Sequence, residues 1–294
     1  MKMLHQNKDE FLRILERTSA QTGFPLRLLE KDYYLTIALS KISSLSSNLV
    51  FKGGTCLNKI YYSYYRLSED LDFTLILPSN KATRTERKKA IEPIKKSIIS
   101  FAENIDMKAE NIEKAGHNES RQYVYSLAYH SVILNKSETI KLEIGLRFNP
   151  LMPVEEHKIQ HKFLHPFTKE PLFDSGTIKC LNIKEQVAEK MRAAATRETI
   201  ATRDFYDLGF LLKKKYNFKD KKLIEIFKKK LLEDKRSDSL KQYSINFGRK
   251  SEEIDAMKAG IEEELFPVLT IDEQKRFDID RILNKFNNLF QKLK

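Results

Sequence analysis

The chain has 294 residues, of which 41% are hydrophobic and 32% are charged, and this composition is typical of a soluble globular protein rather than a disordered one. The formal net charge of +12 favours an anionic partner without identifying it. Two cysteines are too few for a disulfide framework, and no apolar run approaches the roughly 20 residues that a membrane span needs. The amino terminus lacks the apolar core of a signal peptide, so we expect a cytoplasmic protein with no membrane partner.

The amino-terminal half mixes helical and extended patterns. Apolar residues recur at helical spacing in three segments, 8–18, 27–44 and 84–104. Strands are predicted where apolar residues alternate with polar ones or form short runs, at 48–51, 70–77, 123–134 and 139–148. The last two strands are expected to form an antiparallel hairpin that turns around 135–137. Residues 149–180 hold four of the eight prolines and predict an irregular or edge-strand linker.

The carboxyl-terminal part is helical almost throughout. From Asn182 onward the apolar residues follow helical periodicity, with breaks expected near 198–202, 216–218, 234–238 and 266–271. We therefore predict an α+β protein, in which a mixed sheet flanked by helices is followed by a helical bundle. The predicted domains are residues 1–178 and 179–294.

Two aspartates share one face of the strand predicted at 70–77. Side chains alternate along a strand, so Asp70 and Asp72 point away from the apolar face that carries Leu71 and Phe73. Carboxylates about 7 Å apart on a strand can converge on divalent cations that also hold phosphate oxygens. The alternative interpretation is an edge strand whose outer face is simply solvated.

A Gly-Gly turn comes shortly before that strand in the sequence. Gly53 and Gly54 follow the apolar run at 48–51 and lead into a helical stretch, whose first backbone N–H groups can bind an anion. Thr55 adds a hydroxyl that can donate to the anion or cap the helix. The pattern is not a P-loop, because the lysine precedes the glycines. The alternative is merely a tight connection.

Glu143 is the candidate for a third carboxylate. It shares a face of the strand at 139–148 with Lys141 and Arg147. It can join the two aspartates only if this strand neighbours theirs. Three carboxylates would hold two metal ions about 3.5–4 Å apart, which stabilise both the attacking and the leaving oxygen of a phosphoryl-group transfer. Alternatively, Glu143 faces solvent and pairs with Lys141 or Arg147.

The order of these motifs resembles the AbiEii family of nucleotidyltransferase-like toxins, within the DNA polymerase β-like superfamily. The most specific part is Lys-Gly-Gly-Thr at 52–55 followed by Arg-Leu-Ser-Glu-Asp-Leu-Asp-Phe at 66–73. Three further segments resemble family motifs in the expected order, at 30–34, 189–193 and 203–208. The resemblance covers scattered parts of residues 30–210.

The resemblance implies a nucleotidyltransferase core, a helical lobe, an NTP bound in a cleft, and Mg²⁺. The nucleotide contacts that it implies are Gly53, Gly54, Thr55, Arg66, Ser68 and Lys190. The implied catalytic residues are Asp70, Asp72, Lys190 and Asp204. The predicted metal ligands are Asp70, Asp72 and Glu143. It also implies a toxin restrained by a cognate antitoxin. The alternative for Lys190 and Asp204 is a salt-bridge cluster between helices.

The positive charge is concentrated in the carboxyl-terminal half. Residues 213–250 contain 14 Lys or Arg against 5 Asp or Glu, whereas residues 251–294 contain 7 against 10. This excess favours RNA, most simply a tRNA end, as the acceptor of the nucleotide. Lys228, Lys229 and Lys230 are candidate contacts with the RNA backbone, although consecutive helical residues cannot all face one surface. The alternative is that these lysines form a solvated face.

Two other functions remain open at this point. One is a nucleotidyltransferase that modifies a protein or a small molecule. The other is a non-catalytic basic protein that binds RNA. Salt-sensitive RNA binding without NTP turnover would indicate the second of these.

Overall fold

The computed structural model describes residues 3–243 and 246–292, and the chain divides into two units, Met1–Leu181 and Asn182–Lys294. The predicted domain boundary at 178/179 falls inside the last strand of the first unit, Thr177–Cys180. Residues 244 and 245 of the predicted basic segment lie outside the described residues. Throughout the described part of the chain, every helix is too short or too polar to cross a membrane.

The first unit contains helices and strands in the predicted order. Its α-helices are α1 (Lys8–Thr22), α2 (Leu26–Leu45), α3 (Gly53–Cys56) and α4 (Arg84–Glu103). A π-helix, Leu57–Tyr61, continues α3. The strands are β1 (Leu49–Lys52), β2 (Asp70–Leu75), β3 (Lys108–Glu110), β4 (Gly116–His117), β5 (Gln122–Ser131), β6 (Lys136–Gly145), β7 (Glu155–Lys158) and β8 (Thr177–Cys180).

These strands form one mixed sheet. Its order among the described residues is β3-β5-β6-β2-β1-β8-β7, with β4 paired to β5. Strand β2 lies antiparallel to β1 and parallel to β6, so the three strands that carry the candidate site are neighbours. The predicted β5–β6 hairpin is present, but its turn lies at 132–135. The predicted linker at 149–180 contains β7 at one edge of the sheet and β8 beside β1.

The predicted alternation of side chains along β2 is present. Leu71, Phe73 and Leu75 are at most 2% exposed on the core face. Asp70 and Asp72, which alternate with them along the strand, are half-buried on the other face. Helix α4 begins at a capping box in which the Thr83 hydroxyl accepts from the backbone of Glu86 and the Glu86 carboxylate accepts from the backbone of Thr83.

The second unit is helical throughout its described residues. Its helices are α5 (Ile183–Thr196), α6 (Thr202–Lys213), α7 (Lys221–Glu233), α8 (Ser251–Ala259), α9 (Ile261–Glu264), α10 (Ile271–Arg276) and α11 (Ile279–Gln291). Short 3₁₀ turns occur at Leu240–Tyr243, Asn246–Gly248 and Phe266–Val268. Side-chain caps at Asn182, Asp220 and Asp278 begin α5, α7 and α11. The predicted fold class, a mixed sheet flanked by helices and followed by a helical part, is confirmed.

Candidate active site

The candidate site begins with a row of charged residues across three neighbouring strands. Lys52 of β1 lies opposite Asp72 of β2, and Asp72 lies opposite Glu143 of β6. In the next row, Asp70 lies opposite Lys141. Residues opposite each other in a sheet project from the same face. The structure therefore brings the three predicted carboxylates to one face of the sheet.

Glu143 is held by a lysine of its own strand. Lys141 Nζ lies 2.9 Å from Glu143 Oε2, which is the pairing that the sequence left as an alternative. Burial opposes ionisation of Glu143, but the hydrogen bond and charge of Lys141, together with the charge of Lys52, outweigh it, so the pKa of Glu143 lies below its ordinary value. Glu143 is therefore an ionised partner of Lys141.

The fit of these residues to Mg²⁺ rests on the two aspartates. In the part of the chain that the structure describes, no three His, Cys, Asp or Glu side chains gather closely enough to hold a metal ion. Mg²⁺ is commonly bound through one or two carboxylates together with substrate phosphates. Asp70 and Asp72, alternate residues on one strand face, fit that requirement. Lys141 engages one oxygen of the Glu143 carboxylate, and the role of Glu143 as a third metal ligand stays a prediction.

Gly53 allows the backbone to lie directly against Asp72. Its φ angle is +80°, in the left-handed region that glycine adopts without strain. A Cβ at this position would collide with the Asp72 carboxylate, so the carboxylate lies close against the Gly53 backbone. Helix α3 begins at Gly53, directly after β1. The turn and the carboxylate together form one small polar surface.

We predict that Gly53→Ala lowers nucleotide transfer by about 10²-fold, because the Asp72 carboxylate must move away from the added methyl group. The left-handed backbone adds a strain of about 1–2 kcal/mol to the free energy of folding. Transfer rate and thermal unfolding of the purified variant measure the two effects.

Gly176→Ala is the matched control for that variant. Gly176 has a φ of +69°, but nothing lies within 4 Å of the position that its Cβ would take. It should lose a similar amount of stability from backbone strain and keep its transfer activity. Equal activity of the two alanine variants would show that the closeness of Gly53 and Asp72 does not matter for the reaction.

The Arg66 side chain packs against Gly54, the second glycine of the turn. Arg66 is 2% exposed, and its Nη1 donates to the Leu67 carbonyl at 2.7 Å. A Cβ on Gly54 would lie 2.5 Å from Arg66 Nη2 and 3.3 Å from Ser68 Oγ. The guanidinium therefore packs beneath the turn, where it fixes the position of Gly54. The predicted contact of Arg66 and Ser68 with a nucleotide stays a prediction, and the burial of Arg66 favours a positioning role.

Thr55 is connected to strand β2, which carries the two aspartates. It is fully buried, and its Oγ1 donates to the Asp70 carbonyl at 2.5 Å. A hydroxyl has one hydrogen to donate, so Thr55 Oγ1 cannot donate to a phosphate at the same time. In this arrangement Thr55 joins α3 to β2, and its predicted phosphate contact could be made only by its backbone N–H.

A buried ion pair behind the turn was not identified from the sequence. Lys59 Nζ lies 2.7 Å from Asp32 Oδ1, and both side chains are fully buried. Lys59 also donates to Thr36 and to Tyr64, whose hydroxyl donates to Asp32 Oδ2 at 2.7 Å. Burial lowers the pKa of Lys59, and the charge of Asp32 opposes that shift. The sequence signal was Asp32, which stands beside apolar and aromatic residues of α2.

This pair fixes a strained loop. Tyr64 has a φ of +70°, which is rare for a bulky side chain and needs support from its surroundings. The support comes from the hydrogen bonds of its hydroxyl to Asp32 and Lys59.

In the second unit, Lys190 lies between two aspartates. Its Nζ is 2.7 Å from Asp204 Oδ1 and 2.8 Å from Asp207 Oδ2, and Arg197 approaches Asp204 at 3.2 Å. The Asp207 side chain is fully buried. The structure thus shows the salt-bridge cluster between α5 and α6 that was the alternative for these residues. The nucleotide contact of Lys190 and the catalytic role of Asp204 stay predictions.

The basic segment differs from the prediction at Lys230. This side chain is 4% exposed and lies 2.8 Å from Glu185, 2.9 Å from Glu189 and 3.6 Å from Glu233. Burial opposes its charge, but the three carboxylates outweigh burial and raise the pKa of Lys230. Lys230 is therefore part of the core of the second unit, and the hypothesis that it contacts RNA is wrong.

Known proteins resemble this chain both in sequence and in architecture. The sequence matches the family described as nucleotidyl transferase AbiEii toxin, type IV TA system, over residues 37–292. Among solved structures, MenT4, a nucleotidyltransferase toxin of Mycobacterium tuberculosis H37Rv, aligns with a TM-score of 0.54 and 17% identity, covering 96% of this chain and 98% of that one. No curated protein matches the sequence significantly.

Two structures from Helicobacter pylori are similar as well. JHP933 aligns with a TM-score of 0.50 and 16% identity, covering 92% of this chain and 93% of that one. A protein assigned to the nucleotidyltransferases aligns with a TM-score of 0.50 and 18% identity, covering 92% of this chain and 96% of that one. At these identities the solved structures show a shared fold.

Proposed function

Because the chain belongs to the AbiEii family of nucleotidyltransferase toxins of type IV toxin–antitoxin systems, we propose that it transfers a nucleotide from an NTP to an RNA acceptor. A tRNA end is the simplest such acceptor, Mg²⁺ is the proposed cofactor, and a cognate antitoxin is the expected partner. The observation that supports this most is the contact between the Asp72 carboxylate and the Gly53 turn. This contact supports the proposal, because the carboxylate that would bind the metal ion lies beside the turn whose backbone would bind the phosphates.

The proposed chemistry follows from this arrangement. Asp70 and Asp72 would hold Mg²⁺, which when bound offsets the charge of the triphosphate and of the leaving pyrophosphate. Gly53 and Gly54 would orient the phosphates through backbone N–H groups. A hydroxyl of the acceptor would give up its proton to solvent, and its oxygen would bond to the α-phosphorus. The bond to the β-phosphate, which lies in line with this attack, would break and release pyrophosphate. Positioning and electrostatic stabilisation account for most of the catalysis in such a site.

Lys190 and Asp204 are proposed to take part on the basis of family membership. Asp204 and Asp207 hold the Lys190 ammonium at a fixed position. A lysine that is held in this way is a point charge that suits a phosphate oxygen. A nucleotide would then replace one of the two carboxylate contacts of Lys190.

Incubation of the purified protein with each labelled NTP, Mg²⁺ and total RNA tests the proposed function. Label should enter RNA from at least one NTP and should not do so without Mg²⁺. Label that enters only protein or a small molecule would contradict the RNA acceptor. Salt-sensitive RNA binding without consumption of any NTP would indicate a binding protein instead of an enzyme.

The exposed lysines of α7 are the proposed contact with the RNA backbone. Lys222 and Lys229 pair with Glu225, at 3.1 and 2.8 Å, so part of the positive excess is neutralised within the helix. Lys221 is exposed, and Lys228, about two turns further along the helix, is half-buried. Replacing Lys221, Lys228 and Lys229 by glutamine should flatten the dependence of log affinity on log salt by about 0.7–0.9 for each lost phosphate contact. Salt-dependent RNA binding measures the slope, and NTP binding should not change.

Helix α4 offers a matched control. Lys88, Lys89 and Lys96 are exposed on it, and their replacement by glutamine removes the same charge from the first unit. This control should keep the wild-type slope. A change of slope in the α4 variant alone would indicate that the RNA-binding surface lies on α4 and not on α7.

A further inference from the structure

The charged face of the sheet carries its own positive counter-charges. Asp70, Asp72 and Glu143 supply carboxylates, and Lys52 and Lys141 project from the same face beside them. Among these five side chains the carboxylates outnumber the ammonium groups by one.

We propose that Lys141 occupies the place of a second metal ion: it holds Glu143 out of the metal site, so that the nucleotide site takes a single divalent ion at Asp70 and Asp72. This inference rests on the proposed function, and it replaces the two-ion, three-carboxylate site that the sequence predicted.

The geometry of the Lys141–Glu143 pair supports this assignment. The two residues are alternate positions on β6, and their side chains meet at 2.9 Å without any change of the backbone. Lys141 also lies opposite Asp70 across the β2–β6 pairing. If Glu143 left the pair to bind a metal ion, the ammonium would remain on the same face, next to the dication. Charges of the same sign a few ångströms apart repel each other, and that repulsion opposes a second ion.

The number of bound ions tests the inference directly. The experiment titrates the full chain with Mn²⁺ in the presence of a saturating α,β-methylene NTP, which cannot be cleaved at the α–β bond. The spectroscopic signal of free Mn²⁺ gives the number bound per chain, after subtraction of a titration of the nucleotide alone. We expect one ion for the wild-type protein and for Lys141→Arg, and two ions for Lys141→Met.

Two further variants show where the second ion binds. Lys141→Met combined with Glu143→Gln should return to one ion, because the freed carboxylate is gone. Lys136→Met is the matched control, since Lys136 pairs with Glu138 two residues along the same strand, at 3.5 Å, and it should remain at one ion.

The outcomes separate this inference from the proposed function. Two ions in the wild-type protein, or one ion in Lys141→Met, would overturn the role of Lys141. The proposal that the protein transfers a nucleotide would still stand. No ion in the wild-type complex would overturn the role of Lys141 and the Mg²⁺-dependent function together.

Discussion

Replacing Asp72 by asparagine is expected to lower nucleotide transfer by at least about 10²–10³-fold, with little change in thermal stability. The amide has the shape of the carboxylate but lacks its charge, so the contact with Gly53 survives while the affinity for a divalent ion falls. Transfer of label from NTP to RNA and thermal unfolding of the same preparation measure the two properties.

The control for Asp72→Asn is Glu156→Gln. Glu156 is an exposed carboxylate on the edge strand β7, and its replacement also removes one negative charge from the sheet. It should retain wild-type activity. If Asp72→Asn kept more than half of the wild-type rate, the metal-binding role of this aspartate would be refuted.

The largest expected loss of stability follows from Lys59→Met. This change removes a fully buried ammonium and leaves the fully buried Asp32 carboxylate without its counter-charge. Removing one partner of a buried ion pair costs about 3–5 kcal/mol in the free energy of unfolding. At 2–4 °C for each kcal/mol, the melting temperature should fall by roughly 6–20 °C. Calorimetry or circular dichroism measures the shift.

Arg27→Ala provides the comparison for an exposed pair of the same unit. Arg27 is 58% exposed and lies 2.9 Å from Glu138, so its loss should cost less than about 1 kcal/mol. The double variant Lys59→Met with Asp32→Leu should recover part of the lost stability, because no unpaired charge remains buried. Equal losses in Lys59→Met and Arg27→Ala would show that the buried pair is not important for folding.

Local sequence patterns predicted the parts of the site that depend on neighbouring residues. The alternation at 70–77 was sufficient to place Asp70 and Asp72 on the polar face of β2, because side-chain direction in a strand depends only on position. The Gly-Gly turn was identified from two adjacent glycines before a helical pattern. The collision that makes Gly53 necessary involves Asp72, which is distant in sequence, and it became visible only in the structure.

The burial of charged residues was not predictable in the same way. A lysine in an amphipathic helix is expected to face solvent, and both Lys59 and Lys230 depart from that expectation. Each is paired with carboxylates from another part of its unit, Asp32 in one case and Glu185 and Glu189 in the other. Tertiary packing decides such pairs, so helical periodicity alone cannot show them.

The choice between partners of Glu143 also depended on tertiary structure. The sequence allowed both a metal-binding role and a pair with Lys141 or Arg147. Pairing of β2 with β6 brings Glu143 beside Asp72, and the contact at 2.9 Å shows that Lys141 is its partner. Strands β7 and β8 were expected only as irregular or edge structure, since four residues each are too few for a periodic pattern.

The position of the label on the NTP provides the most direct test of nucleotide transfer. The protein is incubated with RNA, Mg²⁺ and the active NTP, labelled on the α-phosphate in one reaction and on the γ-phosphate in another. Transfer of a nucleotide predicts that RNA acquires the α label, that the γ label appears in pyrophosphate, and that Asp72→Asn gives neither product. RNA that acquires the γ label, or no labelled product with any NTP, would contradict the proposed activity.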